Sequence, residues 1–387
     1  MRTDLLHRRA GGQRTTVVSR PTALVDLAAL RANARTITRL TGTPLLAVVK
    51  ADGYGHGAVA LARAALAGGA SALGVTSVTE AVALRRAGID VPVLSWLNAP
   101  ATDFRPALHA RVDLAVPSLD HLEAIRAAVR RTGVTATIHL HVDIGMSRDG
   151  AGQDSWGRLC TEARTAEEAR EVVVHGLMGH LGCADRPGHP TTTRDLDRFD
   201  RATRVAHAAG LRPTVRHLGG TPAALTDPRA RLDLCRVGAG LVGIDPARTG
   251  APLRPALTLL APVVAVREAR AGQRVGYGDA HVLPRATRLA LLPVGYADGI
   301  PRIASGRASV LLHGRRCPVV GLVSMDQVVV DVGALPVVAG DTAVVLGPGA
   351  GGEPTTHEWA RWAGTIEHEI VTGIGPRVDR RHVEEDH

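Results

Sequence analysis

Lysine is almost missing from this chain. Lys50 is the only one in 387 residues, so 45 of the 46 Lys+Arg side chains are arginine (46 − 1). Aromatic residues are nearly as scarce, at four Trp, three Tyr and two Phe, so any core must be packed with Ala, Val and Leu. The net charge of +9 invites a nucleic-acid partner, but the arginines are scattered and no aromatics are interleaved with them, which argues against one. A basic surface still favours anionic ligands in general. The cysteines Cys160, Cys183, Cys235 and Cys317 lie far apart and form no C-x-x-C pair, so neither a zinc site nor a disulfide framework is indicated. Reduced thiols and a cytoplasmic location are the expectation. No apolar run is long enough to span a bilayer, and no membrane partner is expected. Residues 1–20 contain arginines but no apolar stretch of the kind a secretory signal needs, and read as a flexible N-terminal extension.

What is present is a long alternation. Thr22–Asp26 reads as a strand and about Leu27–Leu40 as a helix. Short apolar runs follow at Leu45–Val49, Ala72–Thr76, Val91–Leu94, Leu114–Val116, Ala136–Val142, Val173–Leu177, Thr214–His217 and Leu232–Val237. Between most of them lie Ala/Arg/Glu-rich helical segments such as Ala58–Ala67, Val78–Ala87, Leu119–Arg131 and Thr193–Ala209. Short buried strands alternating with helices argue for a parallel α/β fold, and eight such units match the size of a (β/α)8 TIM-type barrel. The rhythm changes after the Pro/Gly-rich link Arg248–Pro255. Beyond it the runs Leu257–Val266, Thr287–Val294, Ser309–Leu312, Pro318–Val323, Gln327–Val332 and Thr342–Leu346 read as an all-β domain, with one helix near His357–Ala363. The domains expected are thus 21–255 and 256–387.

Lys50 sits in Ala47-Val-Val-Lys-Ala-Asp-Gly-Tyr-Gly-His-Gly57, just past a short buried strand and before a glycine-rich loop. Barrels of this type place their chemistry at that end of their strands. A primary amine can lose a proton and attack a carbonyl, which a guanidinium cannot. One lysine in such a place is therefore a candidate for covalent chemistry.

This stretch resembles the V-K-A-[ND]-x-Y-G-H-G motif of the alanine racemases, fold-type III enzymes that use pyridoxal 5'-phosphate (PLP). The resemblance runs roughly from Pro21 to Arg377. It implies that Lys50 carries PLP covalently and that Tyr54 contacts the phosphate. It also implies a two-base racemisation of L- and D-alanine, with Lys50 on one face of the substrate and Tyr277, in Val275-Gly-Tyr-Gly278, on the other. Tyr277 would come from the partner in a head-to-tail homodimer whose active site is shared across subunits. Two bases are needed because one side chain does not easily serve both faces of a planar intermediate. Tyr296, in Gly295-Tyr-Ala-Asp-Gly299, would line the substrate entrance; an ordinary core or interface tyrosine is the alternative.

The resemblance further implies that Arg236, in Leu234-Cys-Arg-Val-Gly238, faces the pyridine nitrogen of PLP, supported by His180. Decarboxylases with the same barrel carry an acid there, so the arginine favours a racemase. Phosphate would bind at Gly219-Gly-Thr-Pro-Ala-Ala-Leu225, where Thr221 reads as an N-cap with Pro222 at the first helical position. The amides of Gly238 and Ala239 would add donors. Arg148, in Asp143-Ile-Gly-Met-Ser-Arg-Asp-Gly150, would touch the second base and the substrate carboxylate, and the Met325-Asp326 backbone would lie at that carboxylate from across the dimer.

Among the positions that depart from the family pattern, two bear on the site. His141 stands where many members carry a carbamylated lysine, so Arg148 must be oriented by something else, such as an anion or Asp143. His139 and His141 share one strand face, which makes a metal conceivable, but no third ligand is near in sequence and no metal is assigned. His368, counted with the cofactor-binding set, replaces a second entrance tyrosine. A shorter, polar group there keeps open a small amino-acid substrate other than alanine, such as serine. A non-catalytic PLP-binding protein is the remaining alternative, although proteins of that kind lack the β domain and its tyrosine.

Overall fold

A computed structural model describes residues 17–384, and the chain forms two compact units, Leu30–Leu253 and Arg254 onwards together with the segment before Leu30. Most of the expected N-terminal extension, residues 1–16, lies outside the described residues.

The first unit is the barrel. Its strands are β2 (Leu45–Val48), β3 (Ala72–Val75), β4 (Val93–Ser95), β5 (Asp113–Val116), β6 (Ala136–His141), β7 (Val172–Met178), β8 (Val215–His217) and β9 (Cys235–Val237), numbered after β1 (Thr22–Asp26). All pair in parallel, in the order β8-β7-β6-β5-β4-β3-β2-β9. The ring is nearly closed. Between β8 and β9 the stitches are Asp233 N–H donating to Arg216 O at 3.1 Å and Arg236 N–H donating to Gly219 O at 2.9 Å. Strands buried on both faces need continuous apolar runs, which is why Leu45, Leu73, Val75, Val93, Leu114, Val116 and Ile138 are all fully buried. Each such Leu contributes about 2 kcal/mol. The helices between strands begin at recognisable caps. Ser77 and Glu80 form a capping box on the helix Val78–Arg86, and Ser118 caps the helix Leu119–Thr132.

The second unit is mostly β: β10 (Leu257–Pro262), β11 (Ala265–Ala269), β12 (Thr287–Leu292), β13 (Ser309–Leu312), β14 (Arg315–Val320), β15 (Val328–Asp331), β16 (Thr342–Leu346) and β17 (Asp379–Val383). Among the described residues these join β1 in one sheet, ordered β11-β12-β15-β14-β13-β16-β10-β1-β17. Trp359 is buried there, its Nε1–H donating to Val345 O at 2.8 Å.

Four readings of the sequence change. The reading of 21–255 as one domain gives way at β1, which pairs antiparallel with β10 and parallel with β17. Its apolar alternation suited either sheet, and only the long-range partner decides. The run Leu257–Val266 is two strands, β10 pairing with β16 and β11 with β12, because the chain breaks at Val263-Val264 to bond Asp341 and Leu291. A second helix, Glu367–Gly373, follows Thr356–Ala363. Thr221 is not an N-cap. Gly220 takes the extended cap geometry, and Thr221 is the first residue of the helix Thr221–Thr226.

Candidate functional site

At the end of β2 the backbone does something unusual for L-residues. Ala51, Asp52, Gly53, Tyr54 and Gly55 follow one another in the left-handed region, with φ of 53°, 50°, 64°, 56° and 77°. Each non-glycine residue there costs about 1–2 kcal/mol, so the turn needs external support. Gly53 N–H donates to Val49 O at 2.9 Å, Gly57 N–H to Asp52 O at 2.8 Å, and Ala58 N–H to the Asp52 carboxylate at 2.8 Å. The Ala51 N–H donates to Glu80 Oε1 at 2.8 Å. The result turns the chain sharply right after Lys50 and sends Tyr54 inward.

Lys50 is half-buried. Burial lowers its proton affinity, the positive charge of Arg148 lowers it further, and Glu80 pulls the other way. The amine is therefore biased towards its neutral, nucleophilic form. Tyr54 is buried, which holds its phenol in the protonated form. A Cβ on Gly238 would lie 2.1 Å from the Tyr54 hydroxyl, so only glycine leaves that oxygen its place. Thr221 is buried, its hydroxyl accepting from Gly240 N–H at 3.2 Å. Gly238 and Ala239 open the 3-10 turn that follows β9.

Arg236, on β9, is 6% exposed. Its Nη1 donates to His217 Nδ1 and to His217 O, both at 2.8 Å. Its Nη2 donates to Gly179 O at 2.6 Å and Leu218 O at 3.2 Å, with His180 Nδ1 at 3.4 Å. These contacts occupy both terminal nitrogens and leave Nε–H as the unspent donor among the described residues. Burial lowers the guanidinium to about 10, so it stays charged at neutral pH. His180 is pushed down to about 3, by burial first and then by Arg236 and Arg148, and is neutral.

Behind Arg236 runs a chain of imidazoles. An arginine has only donors, so His217 Nδ1 must accept, and its Nε2–H donates to His139 Nδ1 at 2.8 Å. His139 Nε2 then faces Asp113 Oδ2 at 3.6 Å. Gly176 makes this possible, since a Cβ there would lie 2.1 Å from His139 Nδ1. Both ring nitrogens of His139 thus face His217 and Asp113. Among the described residues no group of three His, Cys, Asp or Glu is placed to hold a metal.

His141 Nδ1 lies 3.4 Å from Asp149 Oδ2. Asp143, offered from sequence as a support for Arg148, accepts instead from Gly145 and Ser147 N–H at 2.8 and 3.1 Å and shapes the loop that carries Arg148. His141, Asp149, Arg148 and His180 line one cleft. Glu80, His217, Asp113 and Asp149 were not singled out from sequence. For His217, the signal was available as histidines recurring at or just past the ends of β6, β7 and β8, at His141, His180 and His217.

The remaining candidates lie in the β unit. Tyr277 is 67% exposed on a 3-10 turn flanked by Gly276 and Gly278, both at positive φ. Tyr296 is 43% and Met325 52% exposed. Asp326 forms an ion pair with Arg377 at 2.6 Å. His368 lies half-buried in the helix Glu367–Gly373.

The donor set of the barrel fits an anionic aromatic carbonyl compound. It offers a neutral-leaning amine, a buried guanidinium with one donor left, and a buried phenol against Gly238. Comparison with known proteins points the same way. Residues 25–246 match the model of the alanine racemase N-terminal domain, and residues 256–382 that of the C-terminal domain. An alanine racemase of Frankia casuarinae is 46% identical over 370 residues, covering 94% of this chain and 96% of its own. The crystal structure of the alanine racemase from the D-cycloserine producer Streptomyces lavendulae matches with a TM-score of 0.92 at 42% identity, covering 95% of this chain and 98% of that one. The Bartonella henselae alanine racemase with covalently bound pyridoxal phosphate matches at 0.85 and 26%, covering 95% and 100%.

Proposed function

The chain belongs to the alanine racemase family, and on that premise we propose that it interconverts L- and D-alanine with PLP bound at Lys50. The observation that carries the reading is the setting of the one primary amine on a side chain, which burial and Arg148 bias towards neutrality. Lys50, Tyr54, Thr221, Gly238 and Ala239 would hold the aldehyde and phosphate ends, and Arg236, steadied by His180, the ring nitrogen. His368 belongs to the same proposed set. When bound, PLP supplies an electron sink that makes the substrate α-proton acidic enough to remove.

The chain's own residues do the rest. Lys50 would take a proton on one face as the neutral amine its surroundings favour, and return one from the ammonium form. Tyr277 would serve the opposite face, delivered from the partner subunit of a homodimer; its 67% exposure in a single chain suits a side chain that works elsewhere. Arg148, which makes no hydrogen bond to the protein among the described residues, keeps its donors for the second base and the substrate carboxylate. Arg236 stays protonated near pH 7 and so keeps the ring nitrogen from taking a proton, which disfavours the side reactions a protonated ring promotes. Tyr296, Met325 and Asp326 would shape the substrate entrance. Four free cysteines suit the cytoplasmic location included in this proposal.

Chiral analysis of the product from pure L-alanine tests the reaction. D-alanine should form with the wild type and not with Lys50→Ala. A protein that racemises serine faster than alanine would move the substrate, and one that binds PLP but racemises nothing would defeat the proposal.

A further inference from the structure

In the β unit three separate segments meet around one buried carboxylate. Asp298 closes the 3-10 turn Tyr296–Asp298 and is almost fully buried. Its Oδ2 accepts from Gly295 N–H at 2.9 Å, and its Oδ1 lies 3.2 Å from Arg377 Nε. The same guanidinium reaches Asp326 Oδ1 through Nη1 at 2.6 Å. One planar fork therefore grips two carboxylates from different turns, which a lysine's single ammonium cannot reproduce in geometry.

The two turns are also joined through their backbones. Tyr296 N–H donates to Ser324 O at 3.0 Å and Ala297 N–H to Met325 O at 2.9 Å. The fit is close: a Cβ on Gly295 would lie 2.3 Å from Ser324 O and 2.4 Å from Met325 O. The third segment, which leads from the helix of His368, is pinned by Gly375 N–H donating to Asp298 O at 3.2 Å. An exposed ion pair such as Arg377–Asp326 contributes little alone. Asp298 is different, because a buried carboxylate stripped of its cation is costly and would reorganise. Tyr296 and Met325 remain exposed on top of this base, as side chains do that are held for a contact beyond their own unit.

We propose that Arg377, with Asp298, is a positioning residue that holds the Tyr296 turn and the Met325-Asp326 turn in one arrangement and thereby sets the affinity for the amino-acid substrate. The link to substrate rests on the function proposed above; the clip itself does not. The test uses PLP-loaded wild type, Arg377→Gln, Arg377→Lys and Asp326→Asn, with two readouts: kcat and KM for alanine, and amide hydrogen exchange in the peptide spanning Tyr296 and Ala297. Arg377→Gln should raise KM about tenfold, with kcat within about threefold and faster exchange of the two amides. Arg377→Lys should recover part of the KM, and Asp326→Asn should fall between the two. A fall in kcat with KM unmoved, or exchange equal to wild type, overturns the proposal. Should Arg377→Gln fail to fold, Asp326→Asn carries both readouts, since that side chain is exposed. A wild type that does not racemise alanine defeats the proposed function alone; unchanged exchange in the variants would then still overturn the clip.

Discussion

In the barrel, Arg236, Thr221 and Tyr54 are 6%, 4% and 9% exposed, and each sits against a named partner or a glycine that leaves it room. In the β unit, Tyr277, Met325 and Tyr296 are 67%, 52% and 43% exposed. The barrel binds its polar groups to one another at distances of 2.6 to 3.4 Å, so its cradle is finished within one chain. The β unit fixes the backbone under its candidates and clips Asp326 to Arg377, but leaves the side chains of Tyr277, Tyr296 and Met325 exposed. The proposed active site, shared across subunits, would divide labour in this way, with cofactor grip on the buried side and the second base on the exposed side.

Two substitutions should break the comparison most visibly. Lys50→Ala is expected to lose both PLP absorbance and all measurable racemisation. Tyr277→Phe is expected to keep PLP absorbance and lose about 10²–10⁴ in kcat, the usual contribution of a general acid or base. Absorbance spectra and the chiral assay on the two proteins check this. Loss of PLP in Tyr277→Phe would mean that the exposed side also grips the cofactor.

Two glycines sharpen it. At Gly238 an added Cβ meets the Tyr54 hydroxyl, whereas at Gly278 it meets nothing within 4 Å. Gly238→Ala must displace the phenol, and PLP affinity, measured by titrating the apoprotein, should fall by tenfold or more, on the order of 1–3 kcal/mol of overpacking. Gly278→Ala carries only the strain of its positive φ, about 1 kcal/mol, and should leave PLP affinity alone. Equal effects would deny the buried–exposed division.

The pH dependence of stability should come from the barrel. Burial first, and then the charge of Arg236, hold His217 and His180 below the usual imidazole value, and burial does the same for His139 against the pull of Asp113. The unfolded chain takes up these protons near pH 6.5, while folded His180 waits until about 3. The unfolded state therefore binds more protons below pH 6.5. Stability falls as the pH drops through that value, by about 1.4 kcal/mol per pH unit for each such histidine. Urea midpoints at pH 7.5 and 5.0 measure it, and Gln at His217 should flatten the slope.

Most of the barrel was legible because its strands are short, apolar and separated by amphipathic helices. Ala58–Ala67 and Ser309–Leu312 fall where the pattern puts them. The misses share a cause. β17, Asp379-Arg-Arg-His-Val383, is polar and stands at the sheet edge beside β1, so no apolar pattern marks it. Lys50, Tyr54 and Arg236 could be named from motif and rarity. The left-handed turn could not, because Ala51 and Tyr54 have no preference for positive φ and part of the turn's support comes from Glu80, far along the chain. His217 and His139 read as strand residues until the barrel brings them to 2.8 Å.

Glu80 offers the smallest effect and the finest test of the buried side. Its Oε2 accepts from Thr76 Oγ1 at 2.6 Å and from Thr76 N–H at 2.9 Å, while Oε1 holds Ala51 N–H. Burial opposes its charge, but these bonds prevail and keep the carboxylate ionised below the usual range. Glu80→Gln preserves the shape and leaves one acceptor oxygen for two sets of donors, so a loss of about 1 kcal/mol in stability is expected. It also removes the one negative charge that raises the proton affinity of Lys50. The amine should then lose its proton more readily, and the limb of the pH–rate profile that reports Lys50 should move to lower pH. A stability loss with that limb unmoved would make Glu80 a support of the turn only, and would leave burial and Arg148 to set the state of the amine.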